Sequence, residues 1–210
     1  DNSGSLTYVK ICYAGARSTA DIEHNGLTLN GVGNGTKIEN IYVLESADDA
    51  IEFFGGTVNV TNLLAVNPDD DMFDFTQGYC GTLKNCYGVW ESDYTSTEAD
   101  PRGIEADGNM DGLYPDHLRQ SDFKVENMTI VNNAANTADN VDRMQDVIKI
   151  RRGAKATITN ALVKGTGGAI DLVDMKDSKG AGNIESSIHI TNALSFTGVK
   201  QNGELNTFVE

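Results

Sequence analysis

The amino-acid sequence predicts an all-β solenoid, a chain wound into stacked coils whose strands run parallel. Three observations predict it. Residues 37–43 followed by 48–53 are echoed by residues 59–65 followed by 70–75, with a constant offset of 22 residues. Within each copy apolar and polar residues alternate, as in Ile51-Glu52-Phe53 and Phe73-Asp74-Phe75, which is the period of a half-buried strand. The chain carries 22 glycines against 3 prolines and no helical pattern longer than about two turns, as expected of many short strands joined by tight turns.

Taken in order, two strand types alternate. The first has the form apolar-x-Asn-apolar-x-apolar. Leu6-Thr7-Tyr8-Val9-Lys10-Ile11 opens the series with Tyr8 at the Asn position. The unit recurs at Ile38-Glu39-Asn40, Val60-Thr61-Asn62, Leu83-Lys84-Asn85, Val125-Glu126-Asn127, Ile158-Thr159-Asn160 and Ile190-Thr191-Asn192. The second type is apolar-polar-apolar after a turn. It appears at Leu27-Thr28-Leu29, Ile51-Glu52-Phe53, Phe73-Asp74-Phe75, Ile104-Glu105-Ala106, Ile148-Lys149-Ile150 and Ile170-Asp171-Leu172. Together they make six full coils and the start of a seventh, in one domain over residues 1–210. Asn tolerates left-handed backbone, and amides stacked at the ~4.8 Å strand spacing can bond one another. An internal asparagine ladder of Asn40, Asn62, Asn85, Asn127, Asn160 and Asn192 is therefore expected.

This pattern resembles the right-handed parallel β-helix, the coil of pectate lyases, polygalacturonases and many surface proteins, over essentially the whole chain. The right hand agrees with the general rule for parallel crossovers. Three stretches are similar to a family of secreted bacterial β-helix proteins: Asn25-Gly26-Leu27-Thr28-Leu29-Asn30-Gly31-Val32-Gly33, Asp48-Asp49-Ala50-Ile51-Glu52-Phe53-Phe54-Gly55-Gly56-Thr57-Val58, and Asp100-Pro101-Arg102-Gly103-Ile104-Glu105-Ala106-Asp107. The resemblance implies secretion or display on a bacterial cell surface. Asp1-Asn2-Ser3-Gly4 reads as an internal start, with no signal segment in the chain.

Sixteen basic residues against 31 acidic ones give a net charge of −15 and a pI near 4.4. That argues against nucleic acid, which needs a basic face, and against anionic membrane surfaces. No apolar run approaches the ~18 residues of a membrane helix. The three cysteines, Cys12, Cys80 and Cys86, leave at least one thiol without a partner in the chain. Cys80 and Cys86 are near enough to pair across a turn, while the inward phase of Cys86 suits a small buried hydrophobe. Loops interrupt the coils at residues 13–25, 91–121, 132–145 and 174–186, and long loops on a rigid coil are where function usually sits. Neither end reads as a cap, so the chain is expected to be a portion of a longer solenoid, with further coils or another protein chain stacking on its ends.

The outward positions carry the chemistry. Side chains alternate across a strand, so stacking the coils aligns Thr28, Glu52, Asp74, Glu105, Lys149 and Asp171 in one column. Asn25, Asp49, Asp71, Arg102, Asp146 and Gly168 form a second, and Asp48 and Asp70 a third. Adjacent carboxylates repel, and cations, protons or water must offset the cost. Arg102, expected to pair with Asp71, and Lys149 offset part of it. Asp49, Glu52, Asp71 and Asp74 keep an excess of negative charge that either faces solvent or takes a hard cation, above all Ca²⁺. A second calcium candidate is Asp107-Gly108-Asn109-Met110-Asp111-Gly112, which has the D-x-[DN]-x-[DN]-G spacing. Leu118 stands where an EF-hand needs Glu, so Asp116 or Glu105 would have to complete the shell.

Asp48-Asp49 with Ile51 is similar to the paired aspartates of polygalacturonases, and Val147-Ile148-Lys149-Ile150 to their basic strand. Inverting glycosidases need two carboxyls with room for a water. The expected histidine motif is missing, however, because His24, His117 and His189 lie away from the pair. A lyase would need a basic proton acceptor, for which Arg102, Lys149 and Arg151 are the nearby candidates. Trp90, Tyr87 and Tyr94, with Tyr79 and Tyr42, are outward aromatics suited to stacking on sugars or to covering loop contacts; Trp90, Tyr87, Tyr94 and Arg102 are the ligand-binding candidates. The functional expectation is an extracellular or cell-surface, calcium-supported solenoid with a structural, adhesive, or glycan- or protein-binding role. The alternative is a calcium-dependent lyase or hydrolase of acidic polysaccharide.

Overall fold

A computed structural model describes residues 1–16, 24–109, 119–134, 144–167, 169, 171–180, 183–195, 200–201 and 204–205. Strands β1 (Ser5–Cys12) and β2 (Leu27–Asn30) form the first coil, and β3 (Lys37–Leu44) and β4 (Ile51–Phe54) the second. They are followed by β5 (Asn59–Val66) with β6 (Phe73–Thr76), β7 (Thr82–Trp90) with β8 (Ile104–Asp107), and β9 (Asp122–Asn132) with β10 (Asp146–Arg151). Strand β11 (Lys155–Lys164) with β12 (Asp171–Asp174) precedes β13 (Ser187–Ser195). The odd-numbered strands through β13 stack in parallel, in chain order, as a seven-stranded sheet, and the even-numbered ones through β12 as a six-stranded sheet. This is a parallel β-helix. Two short strands, β14 (Lys200–Gln201) and β15 (Glu204–Leu205), pair antiparallel.

Between the sheets each inward phase becomes a continuous row. Leu29, Phe53, Phe75, Ala106 and Ile150 align along the short sheet. Val9, Ile41, Leu63, Cys86, Met128, Ala161 and Ala193 align along the long one. Phe53 stacks on Phe75 with ring centroids 5.1 Å apart, and Phe75 on Phe123 at 4.0 Å. Such pairs add about 0.5–1.5 kcal/mol beyond the burial of their area. Cys86 sits in this core as a free thiol that burial pushes far up, and Cys12 and Cys80 are also unpaired.

The asparagines turn each long strand. Asn40, Asn62, Asn85, Asn127, Asn160 and Asn192 have φ between 52° and 60°, and Tyr8, at the same phase, has 56°. One left-handed residue shifts the inward phase, so Ile158 and Ala161 both face the core although two residues separate them. The side-chain amides are joined coil to coil: Asn62 Nδ2 donates to Asn40 Oδ1 at 2.8 Å, Asn85 to Asn62 at 2.9 Å, Asn127 to Asn85 at 2.7 Å, Asn160 to Asn127 at 2.9 Å and Asn192 to Asn160 at 3.1 Å. The row corrects one detail of the sequence reading. It is external, because the corner points these side chains outward, and Asn62 through Asn192 are exposed.

Candidate functional site

The acidic face lies outside the short sheet. The turn before β4 presents Asp48 and Asp49, and the turn before β6 presents Asp70 and Asp71. Three residues after the second aspartate of each pair, Glu52 and Asp74 point outward between the buried apolar residues of their strands. Register then fixes the columns: Glu52 lies beside Asp74 and Asp74 beside Glu105. The turns are tied by the main chain, with Gly26 N donating to Asp49 O at 2.8 Å, Ala50 N to Asp71 O at 2.9 Å and Met72 N to Arg102 O at 3.0 Å. Asp48, Asp49, Glu52, Asp70, Asp71, Asp74, Glu105 and Asp107, with Phe54 and Thr76, line a cleft of about 300 Å³.

Three groups of carboxylate oxygens converge in it: Asp48, Asp49 and Asp70; Asp49, Glu52 and Asp74; and Asp71, Asp74 and Glu105. In each, one oxygen per residue lies within 4.8 Å of the others. Oxygens held ~2.4 Å from one Ca²⁺ lie no more than ~4.8 Å apart, so this spacing and the all-oxygen donor set fit a hard divalent cation. Asp71 is 2% exposed. Its Oδ1, like Oδ1 of Asp70 and Asp74, is buried without a hydrogen-bond partner. An orphaned buried acceptor is costly unless something occupies it.

The electrostatics say the same. Burial first, and then the charge of Asp74 and Asp71, hold Asp49 well above the usual carboxylate range. Burial and then Asp70 and Glu105 do so for Asp71; burial and then Glu52 and Glu105 for Asp74. Asp70 is pushed up to about 8 by burial and by Glu105 and Asp100, and Asp48 is raised by burial. Each shift has burial as its largest cause, a carboxylate taken out of water and among other carboxylates.

Past β6 the charge is compensated. Arg102 binds Asp100 at 2.8 Å, Glu105 at 2.5 Å and Asp146 at 3.6 Å. Arg151 holds Glu105 and Asp107, and Arg152 holds Asp107 at 2.9 Å. The expected Arg102–Asp71 pair is therefore corrected: the guanidinium turns toward its own coil and the next one, and Asp71 feels it only at longer range. Lys149 pairs with Asp174, and this corrects the end of the first column. Asp174 stands beside Lys149, and Asp171 beside Asp146. Gly168, assigned to the second column, lies outside the described residues.

The remaining candidates separate. Asp107 faces Arg151 and Arg152 at the edge of the cleft. Asn109 is buried, with Nδ2 donating to Gln120 at 3.3 Å. Asp111 and Asp116 lie outside the described residues. The aromatic platform is corrected. Trp90 is 1% exposed, its indole N–H donates to Pro68 O at 2.9 Å, and Tyr94 covers its ring at 6.0 Å. A buried ring offers no face to a sugar. Tyr79 is inside too, against Phe53 and donating its hydroxyl to Val58 O at 2.7 Å. Tyr94 is half-buried, and Tyr87, 40% exposed, stands on the long sheet in line with Leu64 and Tyr42, away from the cleft. Of the histidines, His24 and His189 do not line the cleft, and His117 lies outside the described residues.

Asn25, at the head of the second column, donates its amide to Glu52. One contributor has no place in the columns. Asp69 anchors the loop beside the cleft, accepting the Tyr94 hydroxyl at 3.0 Å and Thr97 N at 2.8 Å, while its carbonyl accepts the Ser96 hydroxyl. Its signal was position: it opens the run Asp69-Asp70-Asp71, of which only the last two repeat Asp48-Asp49.

The family model described as a pectate-lyase-like β-helix domain matches residues 1–209. No curated protein and no solved structure matched the chain. No described helix is long and apolar enough to cross a membrane.

Proposed function

The chain belongs to the pectate-lyase-like β-helix family, and from that premise we propose that it is an extracellular or cell-surface solenoid that binds acidic polysaccharide without cleaving it, through divalent cations, calcium above all, held in the acidic cleft. The family match supports a polysaccharide-related role in general. The observation that carries the finer reading is the buried, unpartnered Oδ1 of Asp71 in a wall of converging carboxylates. A bound cation would supply positive charge between those carboxylates and the carboxylates of a uronate-rich chain, which the cleft would otherwise repel. Asp49, Glu52, Asp71, Asp74 and Glu105 would hold it, with Asp48 and Asp70. Extracellular modules bind calcium at about 10⁻⁴–10⁻³ M, a range suited to this setting.

The basic residues support binding over cleavage. A lyase needs a group that can lose a proton, yet Arg102 and Arg151 are each held by two or more carboxylates. Burial would lower both, but Asp71, Glu105 and Asp100 around Arg102, and Asp107 and Glu105 around Arg151, outweigh it and raise them further. Lys149 is likewise spent on Asp174. The test is retention on immobilised polygalacturonate and alginate with Ca²⁺ and with chelator, alongside unsaturated-uronide absorbance and reducing-end release. Calcium-dependent retention with no product is expected. Calcium-independent retention, or no retention, removes the cation-bridged reading, and product formation removes the non-catalytic one.

A further inference from the structure

The three groups of converging oxygens are not equivalent, and their overlap bears on how many ions the cleft can take. Asp48, Asp49 and Asp70 share no residue with Asp71, Asp74 and Glu105. The middle group, Asp49, Glu52 and Asp74, borrows one residue from each. An ion in the middle would therefore compete with both ends, whereas the ends are independent.

Hydrogen bonding separates residues peculiar to each group, since Glu52 belongs only to the middle and Asp70 and Asp71 only to the ends. Asp49 Oδ1 already accepts Asp71 N at 3.0 Å, and Glu52 accepts the Asn25 amide. Among the carboxylates lining the cleft, the buried oxygens without partners are Oδ1 of Asp70 at one end, Oδ1 of Asp71 at the other, and Oδ1 of Asp74, which the second end shares with the middle. Asp71, 2% exposed, is aimed into the cleft it lines. Charge points the same way. Among the described residues no ion pair reaches Asp48, Asp49, Asp70, Asp71 or Asp74. One divalent ion would leave three of these five charges uncompensated, and two would leave one.

We propose that the cleft holds two divalent cations at once, one among Asp48, Asp49 and Asp70, the other among Asp71, Asp74 and Glu105. The proposal rests on the cation reading given above. Each ion spans neighbouring coils, the first joining the turns before β4 and β6 and the second joining β6 to β8. The sites differ in kind. The first is formed by carboxylates with no cation in ion-pair reach among the described residues, while the second shares Glu105 with Arg102 and Arg151. Positive charge beside the second site opposes a cation, so the first fills at lower calcium.

Equilibrium dialysis of the chelator-stripped chain against Ca²⁺ tests this by counting ions. Two per chain are expected, bound in two steps. Asp70→Asn should remove the tighter step and Asp71→Asn the weaker, each leaving one. Asparagine keeps the shape and removes the repulsion, and circular dichroism of each variant checks its fold. The wild-type count needs no variant. One ion per chain overturns the two-site inference and leaves the cation reading standing. None overturns both. Two ions that neither folded substitution diminishes would overturn the assignment of residues.

Discussion

Neutralising Asp70 should stabilise the calcium-free protein, and the gain should grow with pH. In the fold Asp70 titrates near 8 against an ordinary 3.8. Below about pH 4 both folded and unfolded chains carry the proton and nothing is lost. Between about 4 and 8 the unfolded chain has released it while the folded chain still binds it, so stability falls by about 1.4 kcal/mol per pH unit. Over roughly 4 units the loss approaches 5–6 kcal/mol. Water entering the open cleft screens part of this, and we expect about 2–3 kcal/mol. Asp70→Asn never bears that charge, and the Asp70 Oδ1 has no hydrogen bond to lose. For a chain of this size a gain of 2–3 kcal/mol raises Tm by about 4–12 °C. Calorimetry in chelator should show that shift at pH 8 and almost none at pH 4.5. An equal shift at both pH values, or a lower Tm at pH 8, would refute the reasoning.

Further outcomes follow from the same structure. Calcium should raise the wild-type Tm at pH 8 more than at pH 5, and adding it to unbuffered protein near pH 7 should release protons, read in a pH-stat, because the raised carboxyls of Asp49, Asp70, Asp71 and Asp74 exchange protons for the ion. Phe75→Ala, which empties the place between Phe53 and Phe123, should cost about 3–5 kcal/mol in urea unfolding. Asn85→Ala should cost about 1–3 kcal/mol, losing two amide bonds and placing a Cβ-bearing residue without a polar side chain at φ 54°; Asn85→Gly should recover the backbone part, so equal losses in both variants would show that φ does not matter there.

The acidic cleft was legible because a repeating register turns sequence phase into spatial neighbours. Once Ile51 and Phe73 are aligned, Glu52 and Asp74 must meet. The same logic failed at the sixth coil, where residues 170–174 alternate in a way that admits two frames, and strand pairing rather than pattern sets Asp174 beside Lys149. Trp90 was readable in hindsight: it continues the inward phase of Cys86 and Gly88. Tyr79 was not, since it sits in a turn where no period applies. The choice of Arg102 among four acidic neighbours is a matter of side-chain direction, which spacing does not encode. That the ladder faces outward follows from φ at each asparagine, a backbone property the residue type permits without specifying.

The amide row has a consequence for how such a chain changes. Its five bonds bridge 22, 23, 42, 33 and 32 residues of sequence, with donor–acceptor distances all between 2.7 and 3.1 Å. Roughly twenty residues thus enter or leave between two rungs while the alignment of the coils stays put, as the slow growth of loop-closure entropy with length allows. The outward amides act as indexing teeth. They hold each turn of the spring to the next, and the segments hanging between them are interchangeable parts, open to exchange by evolution or by grafting without recutting the core.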